Sequence, residues 1–203
     1  MNDKFFALPE EKRNRIINAG FRVFSQNTYR KSPMNEIALE AGISKSLLFF
    51  YFKNKKEFYI FLWSCVRQIT IDHLSNSNIY EENDIFEMMY KGLQAKIEMM
   101  HKYPDMSNFA LKAYYDDDED IKNELSQIIE PFRQLSTNIL IPELDPALFK
   151  EGLDLSMMYR DMYLASEGFL YHEMQSKDFS IDKMADDYKK MIDFWRSIYL
   201  RNA

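Results

Sequence analysis

One cysteine, Cys65, occurs in 203 residues. It cannot form an internal disulfide, so a reducing cytoplasm is the expected compartment. Glycine and proline are scarce, with five and six copies. This excludes collagen-like and Gly- or Pro-rich low-complexity chains and leaves room for long helices. The longest apolar stretches, 47–52 and 58–66, are too short to span a bilayer, and Lys53, Lys55, Lys56 and Glu57 separate them. The opening residues MNDKFFALPEEKRNR lack the apolar core of a signal peptide. His73, His101 and His172 stand far apart, without paired metal-ligand spacing. No glycine-rich phosphate loop and no nucleophile elbow is present. The acidic run DDDED, Asp116 to Asp120, lacks the spacing and the glycine of a calcium loop. Acidic residues complementing the start of a helix explain it better. The expectation is a protein without cofactor, metal or catalytic constellation, and so not an enzyme. Metal-dependent turnover would be needed to favour the opposite.

What is present is ordinary globular composition, 46% hydrophobic and 29% charged. The net charge of −6 hides a split. Residues 1–62 carry 11 Lys and Arg against 6 Asp and Glu, a balance of +5. Residues 63–203 carry 15 against 26, a balance of −11. A basic head on an acidic body attracts phosphates at one end and resists nonspecific collapse onto them at the other.

Helical periodicity dominates and no alternating strand pattern appears. Pro9 suits the first turn of a helix, with Glu10 and Glu11 complementing its positive end. Ile16, Ile17, Gly20, Phe21, Val23 and Phe24 then form an apolar stripe, and Asn27 or Thr28 ends the helix, Asn27 being suited to a left-handed cap. Ser32 reads as the cap of a second helix with Pro33 at its first position. Ile37, Ala38 and Ala41 face a core and Gly42 supplies a turn. Ser44 caps a third helix that reaches Phe52, and Asn54 caps a fourth. Helical segments follow at about 83–102, 104–115, 118–140, 146–175 and 181–201. Pro104, Pro131, Pro142 and Pro146 mark starts, kinks or breaks, and Ser180 is the expected cap of the last segment.

The stretch from Asn35 to Lys56, NEIALEAGISKSLLFFYFKNKK, has the spacing of a DNA-reading helix-turn-helix. Small Ala38 lies where the helices cross, Gly42 where the chain turns, and Lys45, Lys53, Lys55 and Lys56 are placed to meet phosphates. These residues resemble the tetracycline-repressor (TetR) family. Ile37-Ala38, Ala41-Gly42-Ile43-Ser44, Leu48-Phe49, Tyr51-Phe52 and Lys55 follow its pattern, and Tyr29 supplies the aromatic residue it prefers after the first helix. Phe49 stands where the family usually has a Tyr, Ser46 where a Gly is common, and Leu47 where a small polar residue is common. The resemblance implies that Lys45, Ser46, Leu47, Phe49 and Phe50 face the groove with Asn35 at its edge, while Tyr51 and Lys55 grip the backbone. Phe49 and Leu47 suit apolar contact with a thymine methyl. Phe49 and Phe50 are equally readable as packing.

The body is dense in methionine and aromatic residues, which suit an adaptable apolar pocket. Met88, Met99, Phe109, Tyr114, Met158 and Met162 are the candidates for ligand contact, although plain core packing explains each singly. Glu98, Arg133 and Glu167 are candidate polar selectors. The expected architecture is all-α: a helix-turn-helix head over 1–53 and a helical ligand-binding and dimerisation body over 54–203. The resemblance implies a homodimer that binds double-stranded DNA at an inverted repeat, represses transcription, and is released by a small apolar or aromatic molecule. It places the dimer interface on the last two long helices, with Leu155, Met158, Met162, Ala165, Phe169, Ile192, Trp195, Ile198 and Tyr199 as candidates. A helical protein-interaction module without sequence-specific DNA binding is the alternative.

Overall fold

The computed structural model describes residues 3–75, 79, 82–138 (131–138 as backbone only), 144–176 and 178–201. Among these residues there are ten α-helices and no strand, only an isolated bridge between Phe149 and Leu200. The all-α expectation holds. Pro142 and the Arg133 side chain lie outside the described residues. Two compact units are formed, and neither is one continuous stretch of chain: residues 1–72 with 99–130, and residues 73–98 with 131–203.

The first unit opens with α1, Asp3–Phe6, a single turn too short for periodicity to reveal. Its Phe5 is fully buried, with its ring 4.9 Å from Phe52, 5.3 Å from Phe61 and 5.7 Å from Tyr51. Helix α2, Glu10–Gln26, buries Ile16, Ala19, Gly20, Phe21, Val23 and Phe24. Pro9 sits at its N-cap, one position outside the helix. The helix does not end in a left-handed cap: Asn27 is extended, with φ −128°, and its amide Nδ2 donates to the Val23 carbonyl at 3.3 Å. The side chain satisfies a terminal carbonyl that the backbone would otherwise reach by turning left-handed. Gly20 is required by crowding. A Cβ there would lie 2.7 Å from Leu62 Cδ1 and from Phe58 Cε1 and Cζ.

Helix α3, Met34–Glu40, starts one residue later than expected, with Pro33 at its cap. The buried Ser32 does not cap it. Its hydroxyl donates back to the Thr28 carbonyl at 2.9 Å and closes the preceding loop. Gly42 then turns the chain at φ +63°, a conformation that costs glycine little, and Ile43 N–H donates to the Ala38 carbonyl at 2.9 Å. Helix α4, Lys45–Tyr51, is capped by Ser44, whose Oγ accepts from Leu47 N–H at 3.1 Å. Helix α5, Lys55–Ser75, is preceded by Asn54, whose Oδ1 accepts from Glu57 N–H at 2.8 Å. Helix α6, Ile85–Lys102, belongs to the second unit up to Glu98 and to the first from Met99, and α7, Pro104–Tyr114, packs on α2. Helix α8, Lys122–Asn138, contributes buried Leu125 and Ile129 to the same core.

In the second unit, the expected single segment 146–175 is interrupted. A short 3-10 turn over Pro146–Leu148 is followed by Gly152 at φ +83°, and α9 runs Leu155–Gln175 from an Asp154 cap. Helix α10, Ile181–Tyr199, starts from the Ser180 cap. Met158, Tyr159, Met162, Ser166 and Leu170 of α9, and Met184, Tyr188, Ile192 and Trp195 of α10, are buried at i, i+3 and i+4 spacings. Between these helices Ser166 and Tyr188 share a buried hydrogen bond of 2.9 Å. No described helix is long and apolar enough to cross a membrane.

Candidate nucleic-acid interface

Helix α4 is anchored from below. Leu48 and Tyr51 are buried, as are Phe52 just beyond it and Ile37 and Ala38 of α3. The four-residue periodicity that turns Leu48 inward turns Lys45, Ser46, Phe49 and Phe50 outward. Phe49 and Phe50 are 37% and 48% exposed, values that place both rings on the protein surface rather than in the core. Lys45 Nζ lies 6.0 Å from the Phe49 ring centroid, and Lys4 Nζ lies 5.3 Å from that of Phe50. Leu47 is half-buried, while Asn35 is exposed in the first turn of α3.

Beside α4 is a cleft of about 400 Å³. Lys45 and Phe49 line it from α4, Met34 and Asn35 from α3, and Arg30, Lys31, Ser32 and Pro33 from the preceding loop, with Lys55 completing it. Four of these nine residues are cationic and none is acidic. Such a cleft suits a phosphate, which accepts hydrogen bonds and carries negative charge. The structure thus brings Asn35, Lys45 and Phe49 together with Lys55 and adds Arg30 and Lys31, which the motif reading passed over. Their sequence signal is adjacent cations just ahead of Pro33.

Tyr51 and Lys55 have surroundings that differ from those expected of backbone-gripping groups. Tyr51 is only 5% exposed, its ring set against Phe5 and Phe50. Lys55 Nζ donates to the carbonyls of Tyr29 and Arg30 at 2.9 and 3.2 Å and lies 4.5 Å from the Tyr29 ring centroid. It ties the loop ahead of α3 to the start of α5, so a phosphate would meet an ammonium already engaged.

The acidic run also has a structural task. Tyr29 Oη donates to Asp120 at 2.6 Å and Tyr59 Oη to Asp116 at 3.4 Å. Arg30 pairs with Asp118 at 3.1 Å, and Lys56 pairs with Glu124. Burial and then these carboxylates push both phenols well above their ordinary pKa. The Asp120 backbone N–H and then the Arg30 guanidinium hold the Asp118 carboxyl below the usual carboxylate range. Among the described residues no group of three or more His, Cys, Asp or Glu is arranged to hold a metal ion.

The six candidate ligand contacts divide between the units. Met99 and Phe109 are buried in the first, where Phe109 meets Phe21, Phe24, Tyr59 and Trp63, and Tyr114 is half-buried against the same core. Met88, Met158 and Met162 are buried in the second. Of the polar candidates, Glu167 pairs with Lys96 at 2.7 Å and Glu98 lies 3.4 Å from His73.

Two short helices joined at a left-handed glycine, the second presenting side chains beside a cationic cleft, have the arrangement of a helix-turn-helix. Residues 16–60 match the model of the family described as bacterial regulatory proteins, tetR family. The match covers the helix-turn-helix segment of this chain. The chain is similar to the uncharacterised HTH-type transcriptional regulator YerO of Bacillus subtilis, with 26% identity over 154 residues. That match covers 74% of this chain and 53% of YerO, so the chain spans about half the length of that relative. A TetR family transcriptional regulator from Chloroflexus aurantiacus shares the fold, with TM-score 0.72, 22% identity and 99% of each chain covered. So does the Bacillus subtilis transcriptional regulator FadR, solved in complex with stearoyl-CoA. Its TM-score is 0.66 at 18% identity, covering 88% of this chain and 96% of FadR.

Proposed function

We propose that the chain is a homodimeric repressor whose α4 enters the major groove of an inverted DNA repeat and which a small apolar or aromatic molecule releases. The observation that carries this reading is the outward row Lys45, Ser46, Phe49 and Phe50 beside a cleft lined by four cations. In it Asn35, Lys45, Ser46, Leu47, Phe49 and Phe50 meet DNA directly. Tyr51 and Lys55 act from behind, one through its buried ring and the other by bracing the Arg30 loop. The head over 1–53 and the body over 54–203 divide the work of DNA binding and ligand response.

The effector reading draws on two apolar clusters taken separately, Met99, Phe109 and Tyr114 in the first unit and Met88, Met158 and Met162 in the second. FadR, with a related fold, binds a ligand with a long apolar chain. The effector must favour the DNA-free conformation over the bound one, since equal affinity for both shifts nothing.

Selection of bound sequences from a random DNA pool tests the reading. The expected product is an inverted repeat, bound more weakly as salt rises, because each neutralised phosphate contributes about −0.9 to the log–log slope. The exposed Phe49 and Phe50 also fit an apolar protein partner. No enrichment from the pool, together with salt-insensitive binding of a protein, would favour that interaction module instead.

A further inference from the structure

We infer that Asp118 is an internal stand-in for DNA phosphate, holding the Arg30 guanidinium and thereby weakening DNA binding. The inference rests on the reading of the cationic cleft as a face that meets DNA. Arg30 lies in the loop between α2 and α3 and lines the cleft with Lys31, Lys45 and Lys55. Its Nε and Nη2 donate to the two carboxylate oxygens of Asp118 at 3.1 and 3.4 Å. A guanidinium makes this fork with carboxylate and phosphate alike, so the two anions compete for one geometry.

The two sides of the pair are held differently. The Arg30 side chain is 77% exposed and that of Asp118 only 12%. The carboxylate is fixed from its own loop: Asp118 Oδ1 accepts from Asp120 N–H at 3.1 Å, and Asp118 N–H donates to Asp116 at 3.0 Å. Tyr29 and Tyr59 tie that loop to the body of the unit through Asp120 and Asp116. The cation can therefore swing toward a phosphate while the acid stays behind. DNA must either displace Asp118 from Arg30 or meet a neutral pair. In both cases one cation per protomer contributes less than its full charge to counterion release. Asp118→Asn removes the charge and keeps an oxygen for the Asp120 N–H.

The test is anisotropy of a fluorescein-labelled mixed-sequence DNA duplex over a salt series, with the full chain as wild type, Asp118→Asn, Arg30→Ala and the double variant. Asp118→Asn is expected to tighten binding roughly two- to five-fold per protomer, the scale of an exposed ion pair. It should steepen the salt slope by up to ~0.9 per protomer. In the Arg30→Ala background the same change should have no effect. Weaker binding by Asp118→Asn, or equal tightening with and without Arg30, overturns the inference. Lys45→Ala separates the two levels. If it flattens the slope while Asp118→Asn leaves it unchanged, the inference fails and the DNA reading stands. If the wild type binds the duplex without salt dependence, both fail. Asp118→Ser, which also keeps an acceptor for the Asp120 N–H, carries the same expectations should the Asn variant not fold.

Discussion

Replacing Lys55 by Met separates bracing from phosphate contact. Met keeps the length and most of the volume of the stem and removes the ammonium. The loss includes the donation to the Tyr29 carbonyl at 2.9 Å, the donation to the Arg30 carbonyl at 3.2 Å, and the contact with the Tyr29 ring at 4.5 Å. A hydrogen bond involving a charged group contributes about 1.5–3 kcal/mol, and a cation over an exposed ring about 0.5–1 kcal/mol. Tyr29 is 4% exposed, so the bond to its carbonyl counts near full strength. Arg30 is exposed, and water replaces much of the second bond. The expected loss is about 2–3 kcal/mol from the first unit. Urea unfolding measures it. Trp63 lies in the first unit and Trp195 in the second, so a Trp195→Phe background leaves Trp63 as the reporter. The salt slope of DNA binding should fall by less than the ~0.9 per protomer of a direct phosphate contact. A loss below ~0.5 kcal/mol, the scale of an ordinary surface substitution, together with a full slope change, would refute the bracing role and restore Lys55 as a phosphate grip.

Gly20→Ala should destabilise the first unit by up to about 2 kcal/mol, because overpacking costs about 1–3 kcal/mol and helix propensity returns about 1. Gly92→Ala in α6, where a Cβ meets nothing within 4 Å, should instead stabilise by about 0.5–1 kcal/mol. Denaturant midpoints of the two variants check the contrast. Phe5→Ala should cost about 3–5 kcal/mol, whereas Phe50→Ala should stay within ~0.5 kcal/mol while changing the selected DNA sequence. A Phe50→Ala protein that melts early with unaltered preference would return that ring to the core. Leu164→Lys with Phe194→Glu, at positions 55% and 59% exposed, should give folded monomers by light scattering. An intact dimer would place the interface elsewhere.

The dimer positions show where sequence periodicity runs out. Met158, Met162, Ile192 and Trp195 were expected at the interface, yet they are buried in the second unit's own core. The exposed apolar side chains are their neighbours, Met157, Leu164 and Tyr171 on α9 and Phe194 on α10. Both faces of α9 carry apolar residues, so spacing alone cannot say which face meets the protein's own core. Packing against α10 decides it.

Helix caps at Ser44, Asn54 and Ser180, the glycine turn, and the inward Leu48 and outward Lys45 could all be read in order along the chain. Each depends on groups within a turn or two of one another, and backbone sterics and hydrogen bonding act over that range. The left-handed cap at Asn27 and the capping role of Ser32 were also local expectations, and they failed because a second local bond competed: the Asn27 amide to Val23, the Ser32 hydroxyl to Thr28. The brace at Lys55 and the pairing of Arg30 with Asp118 were beyond such reading. The partners of the latter are 88 residues apart. Nothing in either local stretch selects the other. Burial of Phe109 against Phe21 and Phe24, where α7 packs on α2, brings the acidic loop to the loop that precedes the helix-turn-helix. The hydrophobic effect that drives this packing is non-directional. Composition could therefore announce a core, but only the packed helices determine which charges meet beside it.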